Sequence, residues 1–129
     1  MKPARRYIDF LQDIVDNLEK AESFVEEMDF GEFQEDEKTR YSLICALEIV
    51  GEAAKKVPTA VRQRNPQVPW KDMAGMRDRL IHGYFGVDNE IVWKTAKEFA
   101  PQIRSEIETI LSFERSKEKR KGLLAIFCG

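Results

Sequence analysis

Leu47-Glu48-Ile49-Val50-Gly51-Glu52-Ala53-Ala54 is the stretch on which the fold turns. Its apolar residues recur at helical spacing rather than alternating, and small residues at its end allow a second helix to approach closely. Extended in both directions, the pattern gives a long helix from Asp36, a natural N-cap, to Val57, with Tyr41, Ile44, Leu47 and Ala54 facing inward. Cys45 falls within this apolar run and reads as a small buried residue.

The flanking sequence continues in the same style. Tyr7, Ile8, Leu11, Ile14, Val15, Leu18 and Val25 form one stripe, which predicts a first helix from about Pro3 to Met28. Phe30-Gly31-Glu32-Phe33 makes a short connection with room for a helical turn. After the long helix, Pro58 can open a short one carrying Arg62 and Arg64, closed by Asn65-Pro66. Pro69 begins another, with Trp70, Met73, Met76 and Leu80 on its apolar side and Gly83 and Gly86 at its end. Asp88 is placed to cap a further helix that turns Val92, Trp93, Ala96 and Phe99 inward. Pro101 should break or kink that helix, because proline lacks the N–H that a helix interior needs. The stripe resumes at Ile103, Ile107, Ile110 and Leu111. Residues 115–121 form a charged run, and residues 122–129 are apolar without enough periodicity to assign.

No useful length alternates with period two. The expected fold is therefore all-α: an antiparallel bundle of about five helices in one domain, residues 1–114, followed by a tail, residues 115–129. A chain of 129 residues is long enough to bury a core without disulfides or metal. With 43% hydrophobic and 34% charged residues, it has the composition of a soluble helical protein. The net charge of −2 gives no general attraction to polyanions. Lys55, Lys56, Arg62, Arg64, Lys71, Arg77 and Arg79 nevertheless make the middle third locally basic, and the acids gather between Glu19 and Glu37. Two cysteines without paired spacing point to a reducing compartment, and no apolar leader or membrane span is legible, so a cytoplasmic location is expected.

Chemistry concentrates in one place. His82, the only histidine, lies in Met76-Arg77-Asp78-Arg79-Leu80-Ile81-His82-Gly83-Tyr84-Phe85. An imidazole can move a proton near neutral pH, and a guanidinium can hold a phosphate through two parallel hydrogen bonds. On a helix Asp78 and His82 share a face, as do Arg77 and Tyr84. Arg77 and His82 diverge by about 140°. One helix cannot easily aim both at one phosphate, so either it distorts near Gly83 or two copies meet at a two-fold axis. The second arrangement also supplies a second imidazole, since an isologous interface doubles every group at its axis. By spacing alone, a lone histidine near a helix end reads more readily as a structural residue bonded to a carbonyl than as a catalytic one. Trp70 and Trp93 sit at core spacing and are read as packing rather than base stacking. Glu48 and Glu52 are four apart, but no Glu-x-x-His accompanies them, so neither a metal nor another cofactor is expected.

Taken together, these segments resemble the HepT-like toxins of the HEPN superfamily. The resemblance runs from about Tyr7 to Leu111. It rests on residues 47–54, on Val68-Pro69-Trp70-Lys71-Asp72-Met73-Ala74-Gly75-Met76-Arg77, on His82 and Tyr84, and on Phe85-Gly86-Val87-Asp88 followed by Val92-Trp93. It implies a HEPN-like homodimer, or a higher assembly, acting as a metal-independent endoribonuclease of a toxin–antitoxin module. Arg77 and His82 would be the catalytic pair, and Asp78 would fill the polar position after the arginine and orient the imidazole. Lys71 and Arg79 would contact RNA. Tyr84 would correspond to the tyrosine that receives AMP from a cognate minimal nucleotidyltransferase antitoxin. The alternative is a non-catalytic helical dimer that binds a nucleotidyltransferase or a nucleotide.

Overall fold

The computed structural model describes residues 5–80 and 88–128. Every element among them is helical: α1 (Tyr7–Phe24), α2 (Phe30–Glu35), α3 (Glu37–Lys55), α4 (Thr59–Arg64), α5 (Trp70–Ala74), α6 (Met76–Leu80), α7 (Asn89–Lys94), a π-helical turn (Thr95–Phe99) and α8 (Ala100–Cys128). The all-α expectation holds. Six of these elements are short, and three long ones, α1, α3 and α8, frame the molecule.

α1 is the centre, packed on α3 along one side and on α8 along another. Its pairing with α8 is antiparallel: Tyr7 at its start donates to Glu114 at 3.1 Å, while Glu22 near its end accepts from Arg104. One buried cluster joins Leu11, Ile14 and Leu18 to Val50, Ala54, Trp70, Met73 and Ile107. A second gathers Ala21, Val25, Phe33, Leu43, Leu47, Met76, Leu80 and Val92. Trp70 is buried, and its indole N–H donates to the Asn65 carbonyl at 2.9 Å, tying the Asn65–Pro69 loop to α5. Trp93 packs against Phe33 and Phe30 with centroid separations of 5.3 and 5.9 Å. Both tryptophans serve packing, as their spacing implied.

Four local expectations need correcting. α1 stops at Phe24, not Met28, because Glu26 and Glu27 would place like charge at the negative end of the helix dipole. Asp29 then caps α2, accepting from the Glu32 amide at 2.8 Å. Tyr41, Cys45 and Phe99, read as inward, are exposed, Tyr41 by 67%. α3 has apolar residues around more of its circumference than the core can cover. Pro101 does not break its helix. The turn before it widens to π geometry, with the Ala100 amide bonding back to the Thr95 carbonyl, and the rod continues into α8. A proline in the first turn of a helix gives up no bond that would have formed, and the wider turn relieves its ring. Finally, residues 115–128 are helical, a continuation of α8.

Two caps match the sequence reading. Asp36 accepts from the Thr39 amide at 3.0 Å at the start of α3, and this bond holds its carboxyl below the usual carboxylate range. Asp88 accepts from the amides of Glu90 and Ile91. Among the described residues no helix is long and apolar enough to cross a membrane.

Candidate active site

The segment carrying the chemistry is positioned by α3. At Gly51 an added Cβ would come within 2.9 Å of the Met73 carbonyl oxygen and 3.7 Å of the Met76 Cβ. The small residue therefore lets α3 lie directly against the α5–α6 chain, as its place in the sequence suggested. Gly75 separates α5 from α6 by one residue. Its amide bonds the Lys71 carbonyl at 3.0 Å and its carbonyl accepts from the Arg79 amide at 3.2 Å, so the two short helices follow one another without a loop. Met73, Met76 and Leu80 are buried on one side, which leaves Arg77, Asp78 and Arg79 exposed on the other.

The predicted site residues do not all face one way. Arg77 lines a groove over α3 together with Cys45, Glu48 and Glu52, and to it α1 contributes Phe10 and Asp13 and the segment before α1 contributes Arg5. Arg79 lines a different groove, with Leu80, Ile91, Lys94 and Phe99, on the α7 side of the motif. Two residues along a helix turn a side chain by about 200°, which accounts for the separation. Arg79 also approaches Asp72 at 3.7 Å, both side chains being well exposed. Lys71 is exposed on α5. His82 and Tyr84 lie outside the described residues, which resume at Asp88.

Two further cations stand at the Arg77 groove, and sequence reading alone missed one of them. The Arg5 guanidinium sits 5.1 Å from the Phe10 ring centroid, and the Lys56 ammonium 5.4 Å from the same ring. These cation–π contacts hold two positive charges at the edge of the groove. Arg5 is also fixed by Asp13 at 2.8 Å. Lys56 was visible in the basic middle third. Arg5 lies 72 positions from Arg77, and no local pattern connects them. Among the described residues no three His, Cys, Asp or Glu side chains converge as a metal site. Glu52 instead pairs with Lys55 at 3.2 Å.

These features sit within a recognisable class. The ribonuclease HepT-like family matches residues 14–110, well over half of the chain, and the protein belongs to that family. A Thermococcus cleftensis protein described as a probable ribonuclease HepT is 44% identical over 106 residues, which is 82% of this chain and 96% of its own length. A Methanocaldococcus jannaschii protein named as a candidate RNase is 44% identical over 109 residues, 84% of this chain and 94% of its own. A third, from Caldanaerobacter subterraneus and also named as a candidate RNase, is 37% identical over 118 residues and is covered completely. No solved structure matches the chain.

Proposed function

We propose that the protein is a metal-independent endoribonuclease, the toxin of a toxin–antitoxin pair, working as a homodimer with its cleft at the subunit interface. The observation that carries this reading is the family match, whose span, residues 14–110, includes Arg77, His82 and Tyr84. The exposure of Arg77 beside a groove edged with Arg5 and Lys56 supports it, since a phosphodiester needs positive charge it can reach.

The chemistry asks for few groups. One His82 takes the proton of a ribose 2′-hydroxyl, and the freed oxygen attacks the adjacent phosphorus. The P–O5′ bond breaks, and a second His82, from the other subunit, gives a proton to the departing 5′-oxygen. The phosphorane carries more negative charge than the substrate, so the Arg77 pair stabilises it preferentially. Asp78 holds the imidazole in one tautomer. Lys71 and Arg79 contact the RNA backbone away from the scissile bond. The products are a 2′,3′-cyclic phosphate and a 5′-hydroxyl, and DNA, lacking the nucleophile, is not cut. Tyr84 is the control point: its hydroxyl attacks the α-phosphorus of ATP on a cognate nucleotidyltransferase, pyrophosphate leaves, and the attached AMP blocks the cleft.

The test is RNA cleavage by the purified protein in EDTA, compared with His82→Ala. Cleavage by the parent with cyclic-phosphate ends, and none by the variant at unchanged helicity, is expected. Loss of cleavage on chelation, or full activity without His82, would overturn the reading.

A further inference from the structure

The end of α8 leaves the body of the molecule. The Tyr7 hydroxyl reaches Glu114 and the Arg6 guanidinium pairs with Glu118 at 2.8 Å. Past Glu118 no hydrogen bond or ion pair joins the helix to another element among the described residues. From Lys119 to Cys128 the helix extends by about 15 Å at its usual rise. In this stretch Leu123, Leu124, Ile126 and Phe127 are 58%, 55%, 76% and 84% accessible, an apolar cap that no described residue covers. Just before it comes a collar of exposed cations, Arg115, Lys117, Lys119, Arg120 and Lys121, in a chain whose net charge is −2. The one carboxylate among them, Glu118, is already held by Arg6. The family match ends at residue 110, so collar and cap both lie outside it.

We propose that this tail attaches the protein to the surface of a bilayer containing anionic phospholipid. The collar binds lipid phosphates, and the cap enters the boundary between headgroups and acyl chains. The two are ordered along the helix, charge first and apolar groups second, which is the order a bilayer presents from water inward. Leu123 to Phe127 covers about 6 Å of rise, within the roughly 5–10 Å to which interfacial elements bury their apolar part. Insertion is shallow, so the last carbonyls of α8, which have no partner within the helix, stay among hydrated headgroups. Attachment is to one surface, since no helix among the described residues is long and apolar enough to cross.

The residue pattern disfavours other occupants. A helix that fills a protein groove, or pairs with a second copy of itself, repeats its apolar anchors three, four and seven residues apart. Three, four and seven residues before Leu124 stand Lys121, Arg120 and Lys117, so the apolar groups form an end and not a stripe. Two copies laid side by side would also bring their cations together. RNA could meet the collar, but Leu123, Leu124 and Ile126 offer no ring on which a base could stack.

Flotation of the full chain with lipid vesicles tests the attachment. Vesicles of phosphatidylcholine mixed with phosphatidylglycerol should carry the protein upward, vesicles of phosphatidylcholine alone should not, and high salt should release it. Lys119→Ala and Lys121→Ala should each weaken binding about fivefold, the usual effect of one cation near an anionic surface. Leu123→Asp combined with Phe127→Asp should abolish it. All four positions are exposed, so circular dichroism and thermal melting of the variants should match the parent. Failure to float with the mixed vesicles, or flotation that the aspartate pair leaves intact, would overturn the attachment. An aspartate pair that changes sedimentation without vesicles would assign the cap to contact between copies. Alanine variants that weaken RNA binding but not flotation would assign the collar to RNA. Either of these results would overturn the proposal as well.

Discussion

The Met73 carbonyl oxygen lies where a Cβ on Gly51 would come within 2.9 Å of it, so α3 and α5 meet through bare backbone. The obstructing atom belongs to the main chain and cannot swing aside as a side chain would. Only a shift of α5 could make room, and α5 leads into α6 and Arg77 across the single residue Gly75.

Gly51→Ala should therefore cost about 1–3 kcal/mol, the usual penalty for overpacking a close contact, despite alanine's better helix propensity. It should also slow RNA cleavage in samples kept well below the new melting temperature. Thermal unfolding followed by circular dichroism, paired with a cleavage assay, separates the two effects. A stabilised and fully active Gly51→Ala protein would show that α5 is not held in this way.

Arg77→Ala should lower the rate of cleavage roughly 100- to 1,000-fold, as the loss of one group that stabilises an oxyanion typically does. Asp78→Asn should cost less, because it orients rather than transfers. Arg79→Ala lies on a separate groove and should weaken RNA binding without changing the turnover rate. Single-turnover and binding measurements on the three variants would check that order.

How far the sequence carried depended on what each residue answers to. The helices, the Asp36 and Asp88 caps and the packing role of Trp70 and Trp93 follow from local spacing and capping chemistry, and were legible. Tyr41, Cys45 and Phe99 were misread because periodicity reports that a helix has an apolar face, not how much of that face its neighbours cover. At Pro101 the sequence called for a break or a kink, and the helix answers with a π turn and no break; that is one of several ways to absorb a proline, and tertiary packing makes the choice. Arg5 joined the Arg77 groove through Phe10 and Asp13, contacts between distant positions that no motif encodes. Asp78 and Arg79 could be placed on the exposed side of α6 from the burial of Met76 and Leu80.

Glu114 is fully buried, yet it stands just ahead of the charged run at residues 115–121 and nothing in its sequence context marked it. Arg64 pairs with one of its carboxylate oxygens, and the Tyr7 hydroxyl donates to the other at 3.1 Å. Arg64→Ala would leave a buried carboxylate short of a partner, which should destabilise the fold by about 1–3 kcal/mol. The lower part of that range is expected, because Arg64 is itself 43% exposed. Glu114→Leu should cost less, since removing a buried charge also removes its desolvation. Denaturant unfolding of both variants would reveal the order.

Burial pushes the Tyr7 phenol above its ordinary value near 10, and the Glu114 carboxylate that accepts its proton pushes it further the same way. A group whose folded value is raised contributes stability that is complete below the unfolded value. That stability is lost as pH rises through the folded value, so this contact should weaken only in strong alkali. In an absorbance titration Tyr7 should ionise above its ordinary value near 10, and Tyr7→Phe should remove that late component. A phenol ionising at its ordinary value in the folded protein would contradict the contact.

Tyr84 is expected to accept AMP from a cognate nucleotidyltransferase and ATP, with the mass gain confined to its own peptide. Seven residues after Arg77, it shares that residue's helical face if the motif helix continues, so an attached phosphate would compete with RNA for the guanidinium. Tyr84→Phe should then cut RNA at the parent rate and escape neutralisation when the nucleotidyltransferase and ATP are added. The modified protein should still sediment as the proposed dimer, since the attached AMP is expected to block the cleft rather than separate the subunits. Modification that instead dissociates the dimer would place control at the interface rather than at the cleft. Full neutralisation of Tyr84→Phe would mean that the antitoxin acts by covering the site, with no chemical step required.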